Sequence, residues 1–216
     1  MHTPRLRSWL FAPGDSENAD DVLAEFPLNL MRDETYVAMA TGVLDPDAFD
    51  PNPGGANIGF TIQPLVGARE KGFWNYAALV AFHGATDAPR VDIRRATRWG
   101  SHRIFGDLGY GEFSDYRWLR ARSYELQVTP AGDPGTVVAT FEANLTGLAG
   151  GSAVVFASGF LSPGTNGNGA PFGLFAALPD GTVLPLGAPG SERIALDPSK
   201  DADLVAAKPS LGNYPN

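Results

Sequence analysis

The chain has 216 residues and no cysteine, with a formal charge of −8 and a pI near 4.8. Glycine (26) and proline (18) punctuate a sequence that is 44% hydrophobic and only 19% charged, which suits a folded domain of short strands and turns and excludes a disordered or helix-rich chain. The acidic balance disfavours a nucleic-acid partner, the missing cysteines exclude a disulfide scaffold and thiol catalysis, and no apolar run approaches the ~18 residues of a membrane span.

Strands are expected, in chain order, over residues 6–12, 21–30, 35–44, 58–66, 77–83, 90–95, 102–108, 123–129, 136–143, 153–161, 171–178 and 182–186. Val, Ile, Leu and Phe fill these segments, and Gly, Pro, Asn and Asp separate them. Asp180-Gly181 is a two-residue hairpin signal. No segment carries a 3.6-residue apolar stripe, so any helix is short. The apolar piece ending at Ala12 is too short for a signal peptide, so the chain reads as an intracellular protein or an internal piece of a longer one.

An internal repeat organises the chain. Arg7-Ser8-Trp9 parallels Arg122-Ser123-Tyr124, and Leu23-Ala24-Glu25-Phe26 parallels Val138-Ala139-Thr140-Phe141. Ala40-Thr41-Gly42-Val43-Leu44 then parallels Ala157-Ser158-Gly159-Phe160-Leu161, Pro46 falls on Pro163, and Ile58-Gly59-Phe60 falls on Phe172-Gly173-Leu174. Strands precede the second copy and none precede the first. The expected organisation is therefore the C-terminal half of a β domain (1–72), a complete one (73–190) and a Pro/Asp/Lys/Ala-rich linker (191–216). A half domain would leave an open sheet edge and an apolar face, so residues 1–72 are expected to dock on the complete domain or on another chain.

The run His83-Gly84-Ala85-Thr86-Asp87-Ala88-Pro89-Arg90-Val91-Asp92 resembles the opening signature of the domain-of-unknown-function family 4397 (DUF4397). Phe105-Gly106-Asp107-Leu108, Tyr110-Gly111-Glu112-Phe113, Leu148-Ala149-Gly150-Gly151 and Ala157-Ser158-Gly159-Phe160-Leu161 continue the resemblance in order. It implies an all-β protein of tandem immunoglobulin-like antiparallel sandwiches, secreted or at the bacterial cell surface, with no catalytic residues and no cofactor. The end, Leu211-Gly212-Asn213-Tyr214-Pro215-Asn216, is similar to the start of a type IX secretion C-terminal sorting domain. Residues 7–16 also resemble the first strand of the citrate-lyase β-subunit family. That family is a TIM barrel, whose alternating helices have no counterpart here.

No nucleophile elbow, phosphate loop or His-Glu-x-x-His motif is present. Within the signature, His83 could pair as a base with Asp87 or Asp92; otherwise its ring bonds to the turn and Asp87 caps that turn. Asp45, Asp47 and Asp50 supply hard oxygen ligands that could hold calcium, against the default of a solvated acidic turn. Trp99, Tyr110 and Trp118 form a candidate binding face for sugars, in a stretch rich in aromatics and arginine. Residues 90–122 carry eight arginines against four acids. They are expected to pair with the acidic half domain; the alternative is an anionic polysaccharide. The expected function is a non-catalytic surface module for adhesion, binding or spacing, the alternative a carbohydrate-binding accessory module of a secreted enzyme.

Overall fold

The computed structural model describes residues 5–11 and 24–190. The described residues form thirteen strands in chain order: β1 (Arg5–Phe11), β2 (Ala24–Leu30), β3 (Tyr36–Thr41), β4 (Thr61–Val66), β5 (Tyr76–His83), β6 (Val91–Thr97), β7 (Gly100–Leu108), β8 (Arg117–Arg120), β9 (Ser123–Pro130), β10 (Ala139–Asn144), β11 (Ser152–Ser158), β12 (Gly173–Ala177) and β13 (Val183–Pro185). Three single-turn 3-10 helices and no α-helix accompany them. The all-β expectation holds, and among the described residues no helix is long and apolar enough to cross a membrane. Residues 191–216, with the linker and the motif similar to a sorting domain, lie outside the described residues, as do the acidic positions of 12–23.

Strands β5 to β13 make a sandwich of two sheets, ordered β10-β9-β6-β7 and β13-β12-β11-β5-β8. The first sheet shows the alternation that a half-buried strand requires. On β9, Tyr124, Leu126 and Val128 are buried, while the intervening Glu125 is exposed and Gln127 half-buried. These side chains meet Leu79, Val155, Leu174 and Leu184 of the opposite sheet in one continuous core. The pairing is antiparallel throughout the sandwich except between β5 and β11, which run parallel.

Strand β5 breaks the alternation: every residue from Ala77 to His83 is buried. Ala77, Leu79 and Ala81 face the sandwich core, while Val80 and Phe82 join Val154 of β11 in a second cluster on the outer face. Val37, Met39 and Leu65 of the β3–β4 hairpin cover that cluster, with Phe113 and Tyr116 at its side. Two-sided burial accounts for the unbroken apolar run. The β3–β4 hairpin thus packs on the sandwich through apolar contact, as a third layer. Polar ties hold it as well: Thr41 Oγ1 to the Tyr110 hydroxyl at 3.2 Å, the Arg69 amide to the Tyr116 hydroxyl at 2.8 Å, and Asn52 Nδ2 to the carbonyls of Thr86 and Ala88 at 2.7 and 3.1 Å. The β1–β2 hairpin forms its own two-stranded sheet, and Phe26 on it meets the Phe60 ring edge-on at 5.8 Å.

The repeat is visible in the backbone. The Val43 amide donates to the Ile58 carbonyl and the Phe60 amide to the Val43 carbonyl; in the second copy Phe160 pairs with Ala170 and Phe172 with Phe160 in the same way. The turn that closes Phe49 onto Pro46 has its counterpart in Asn166 onto Pro163. Phe60 is therefore equivalent to Phe172, two residues away from the match read in the sequence. Other details also differ. Strand β8 is absent from the expected set, and five residues, 178–182, connect β12 to β13. In that loop Gly181 donates to Leu178 and Leu178 to Thr182.

The arginines correct a further expectation. Among the described residues Arg90 pairs with Asp107 and Glu112, and Arg94 and Arg103 approach Asp92, all within 73–190 rather than across to the half domain.

Gly42 and Gly159 occupy equivalent corners at φ +94° and +82°. A Cβ on Gly42 would lie 2.5 Å from the Gly59 carbonyl oxygen, and one on Gly159 would strike the Pro171 carbonyl. Gly42→Ala and Gly159→Ala should each cost more than about 1 kcal/mol in urea unfolding. Because the hairpin and sandwich share the Phe82 cluster, each variant should keep one cooperative transition. Two separate transitions would show that the hairpin folds independently.

Candidate functional site

The signature residues cluster where β5 ends and β6 begins. His83 is the last residue of β5 and is fully buried. Its Nε2 lies 3.0 Å from the Pro89 carbonyl, and the Ala85 amide donates to Nδ1 at 3.3 Å. These partners assign a neutral ring with the proton on Nε2. Burial holds the imidazole pKa below its ordinary value, partly opposed by the Pro89 bond. Both ring nitrogens are spent on backbone groups.

Asp87 bonds elsewhere than to His83. Its carboxylate accepts the amides of Leu161 and Ser162 at 2.9 and 2.8 Å, and Asn166 Nδ2 at 3.2 Å. The expected cap of its own turn is replaced by a clamp on the loop after β11. Asp92 is almost wholly buried; it accepts the amides of Asp107 at 2.9 Å and Gly132 at 3.3 Å, with Arg94 and Arg103 nearby. His83, Asp87, Pro89 and Asp92 therefore act as four joints between adjacent loops. No base and acid pair is assembled from them.

The acidic turn does not gather its carboxylates. Asp45, Asp47 and Asp50 are all exposed. Asp50 accepts from Thr165 Oγ1 at 2.5 Å and from Asn166 Nδ2 at 3.3 Å, while its own amide donates to Asn166 Oδ1 at 3.0 Å. Among the described residues, no three or more His, Cys, Asp or Glu side chains are placed to hold a metal ion. Buried Asn166, not singled out from the sequence, is the hub tying Asp50 of one copy to Asp87 of the other.

The three residues of the expected binding face have different surroundings. Tyr110 is half-buried against Thr41, and its ring meets His83 edge-on at 6.4 Å; burial raises its phenol pKa. Trp99 sits at the tip of the β6–β7 hairpin, 84% exposed, beneath Arg98 at 4.7 Å. Trp118 lies on β8, 45% exposed, with Arg69 over its ring at 5.3 Å. Of the three, Trp118 lines an open concavity.

That concavity is an open groove of about 630 Å³ between β7 and β8. Arg95 and His102 enter it from β6 and β7, Arg117 and Trp118 from β8, and Ile104 and Leu119 supply apolar floor. Arg103 and Asp107 line it as well. Arg90 engages Asp107 at 2.6 Å and Glu112 at 3.1 Å, which holds both carboxyls below their ordinary pKa. Sequence reasoning flagged the basic excess of 90–122 but not these individual residues. Only the topology brings β7 and β8 face to face, since each is the edge strand of a different sheet.

A scan against protein-family models and searches of curated proteins and of solved structures return no match.

His83 makes stability pH-dependent. Its folded pKa lies below the unfolded value of about 6.5, so the unfolded chain binds the extra proton and stability falls as the pH drops below about 6.5. The slope added by His83 has a ceiling of about 1.4 kcal/mol per pH unit. His83→Gln keeps a donor toward Pro89 without titrating. Urea melts of both proteins between pH 7.5 and 5 should therefore show a shallower fall in the variant. Parallel curves would contradict the assignment.

Proposed function

We propose that this chain is a non-catalytic β-sandwich module for adhesion, binding or spacing outside the cell. The observation that carries the reading is the occupancy of the signature: both nitrogens of His83 and the carboxylates of Asp87 and Asp92 are committed to loop amides, carbonyls and neighbouring side chains. A general base needs a free acceptor within reach of the proton it removes, and nucleophilic catalysis needs an activated hydroxyl beside that base. His83 offers neither in its sealed position. The reading invokes no cofactor. Its extracellular placement rests on the resemblance to DUF4397 and on the terminal motif similar to a type IX sorting domain.

The third layer supports a spacing role, because β3–β4 and the sandwich share one apolar cluster. A second reading, a carbohydrate-binding accessory module, is favoured by the groove beside Trp118.

Chromogenic esters, glycosides and peptides should be turned over by the protein no faster than by buffer. Turnover abolished by His83→Gln would overturn the non-catalytic reading.

A further inference from the structure

The groove between β7 and β8 has a defined chemistry. Arg95 and Arg117 line it from opposite sheets and have no ion-pair partner among the described residues. Asp107, which also lines the groove, is paired with Arg90, a guanidinium it shares with Glu112. Asp92 lies almost wholly buried beneath Arg94 and Arg103. The walls therefore present cationic forks facing solvent in a chain of net charge −8. Guanidinium groups recognise carboxylate or sulfate oxygens two at a time.

The groove is not only charged. Ile104 and Leu119 give it an apolar floor, and Trp118 borders it from the other face of β8, opposite Ala78 where Leu119 is opposite Ala77. Arg69 stacks between Trp118 and Tyr116, 5.3 Å from each ring, and so fixes the indole's orientation. Apolar surface and an oriented aromatic beside charged forks suit a pyranose carrying an acidic substituent, with its C–H face on the ring and its anion on the arginines. The groove is open along its length and bounded by two edge strands. Each strand is paired on one side only, which leaves backbone polar groups for hydroxyls. The volume lies within the range usual for ligand sites.

We propose that this groove binds an acidic polysaccharide, its carboxylate or sulfate groups held by Arg95 and Arg117 and one sugar ring placed against Trp118. The proposal rests on the binding-module reading and gives its ligand class. Carboxylated and sulfated polymers share the recognised chemistry, so both are tested.

Affinity electrophoresis and calorimetry of the full chain would use polygalacturonate and dextran sulfate, with neutral dextran and a single-stranded oligonucleotide as comparators. The expected result is binding to one or both acidic polymers, none to neutral dextran, and an affinity that falls with salt. Arg95→Gln/Arg117→Gln should weaken that binding roughly tenfold or more. Arg120→Gln/Arg122→Gln removes the same charge outside the groove and should change it by less than about threefold. Trp118→Ala should weaken polymer binding while leaving competition by inorganic sulfate unchanged. Thermal melts would confirm that each variant is folded.

The proposal is overturned if the wild type binds neither acidic polymer, if the two arginine pairs lose equally, or if the oligonucleotide binds more tightly. An unchanged Trp118→Ala overturns the placement of the sugar ring. Absence of binding without any substrate turnover would leave a spacing role standing, whereas turnover would remove the module reading itself.

Discussion

The structure depends on the burial of one sheet from both sides. Strands β5 and β11 sit at the centre of the five-stranded sheet, with Leu79 and Val155 in the sandwich core and Val80, Phe82 and Val154 beneath the hairpin. Without β3 and β4, those outer residues would form a contiguous apolar patch of the kind soluble monomers seldom expose. With the hairpin in place, the partial repeat becomes a necessary layer of the fold. Large side chains such as Phe82 each contribute about 1.5–3 kcal/mol of burial relative to exposure. The scattered polar ties, at about 0.5–1.5 kcal/mol each, serve chiefly to fix register.

The polar residues then act as joints at the layer boundaries. Asn166 touches Asp50 and Asp87, so one buried amide links loops from both copies of the repeat. Asp92 satisfies amides from the β7 end and from the β9–β10 turn. Buried polar groups are costly unless fully bonded, and here the bonds are local to one end of the sandwich. The opposite arrangement holds in the groove, where half-buried Arg95 and exposed Arg117 have no ion-pair partner among the described residues.

Much of this was legible in the sequence. Turn residues and β-branched runs marked twelve of the thirteen strands, and the repeat was readable because Gly42 and Gly159 are both required by a left-handed corner. The exception, β8, is four residues of Arg-Trp-Leu-Arg, too short and too charged to show alternation. It is the strand that completes the groove. The unbroken Ala77–Phe82 run carried a signal of two-sided burial that strand-by-strand reading passed over. Which carboxylate each arginine meets could not be read at all, because net charge by segment ignores topology: Arg90 and Arg94 found partners in their own domain. The same limit applies to Trp99, Tyr110 and Trp118, close in sequence and unlike in setting.

The parallel pairing of β5 with β11 sets an order of assembly. It joins Ala78 to Ser152, so the centre of the larger sheet exists only after the intervening chain has been brought round. The entropy of closing such a loop rises slowly with length, but the contact is non-local, and domains rich in such contacts fold slowly. The platform that receives β3 and β4 is made from residues that come later in the chain. During synthesis, which proceeds from the N-terminus, the hairpin emerges first and has no surface to cover until β11 arrives. Its apolar residues Val37, Met39 and Leu65 stay uncovered until then, the kind of exposed surface that makes a nascent chain prone to aggregate.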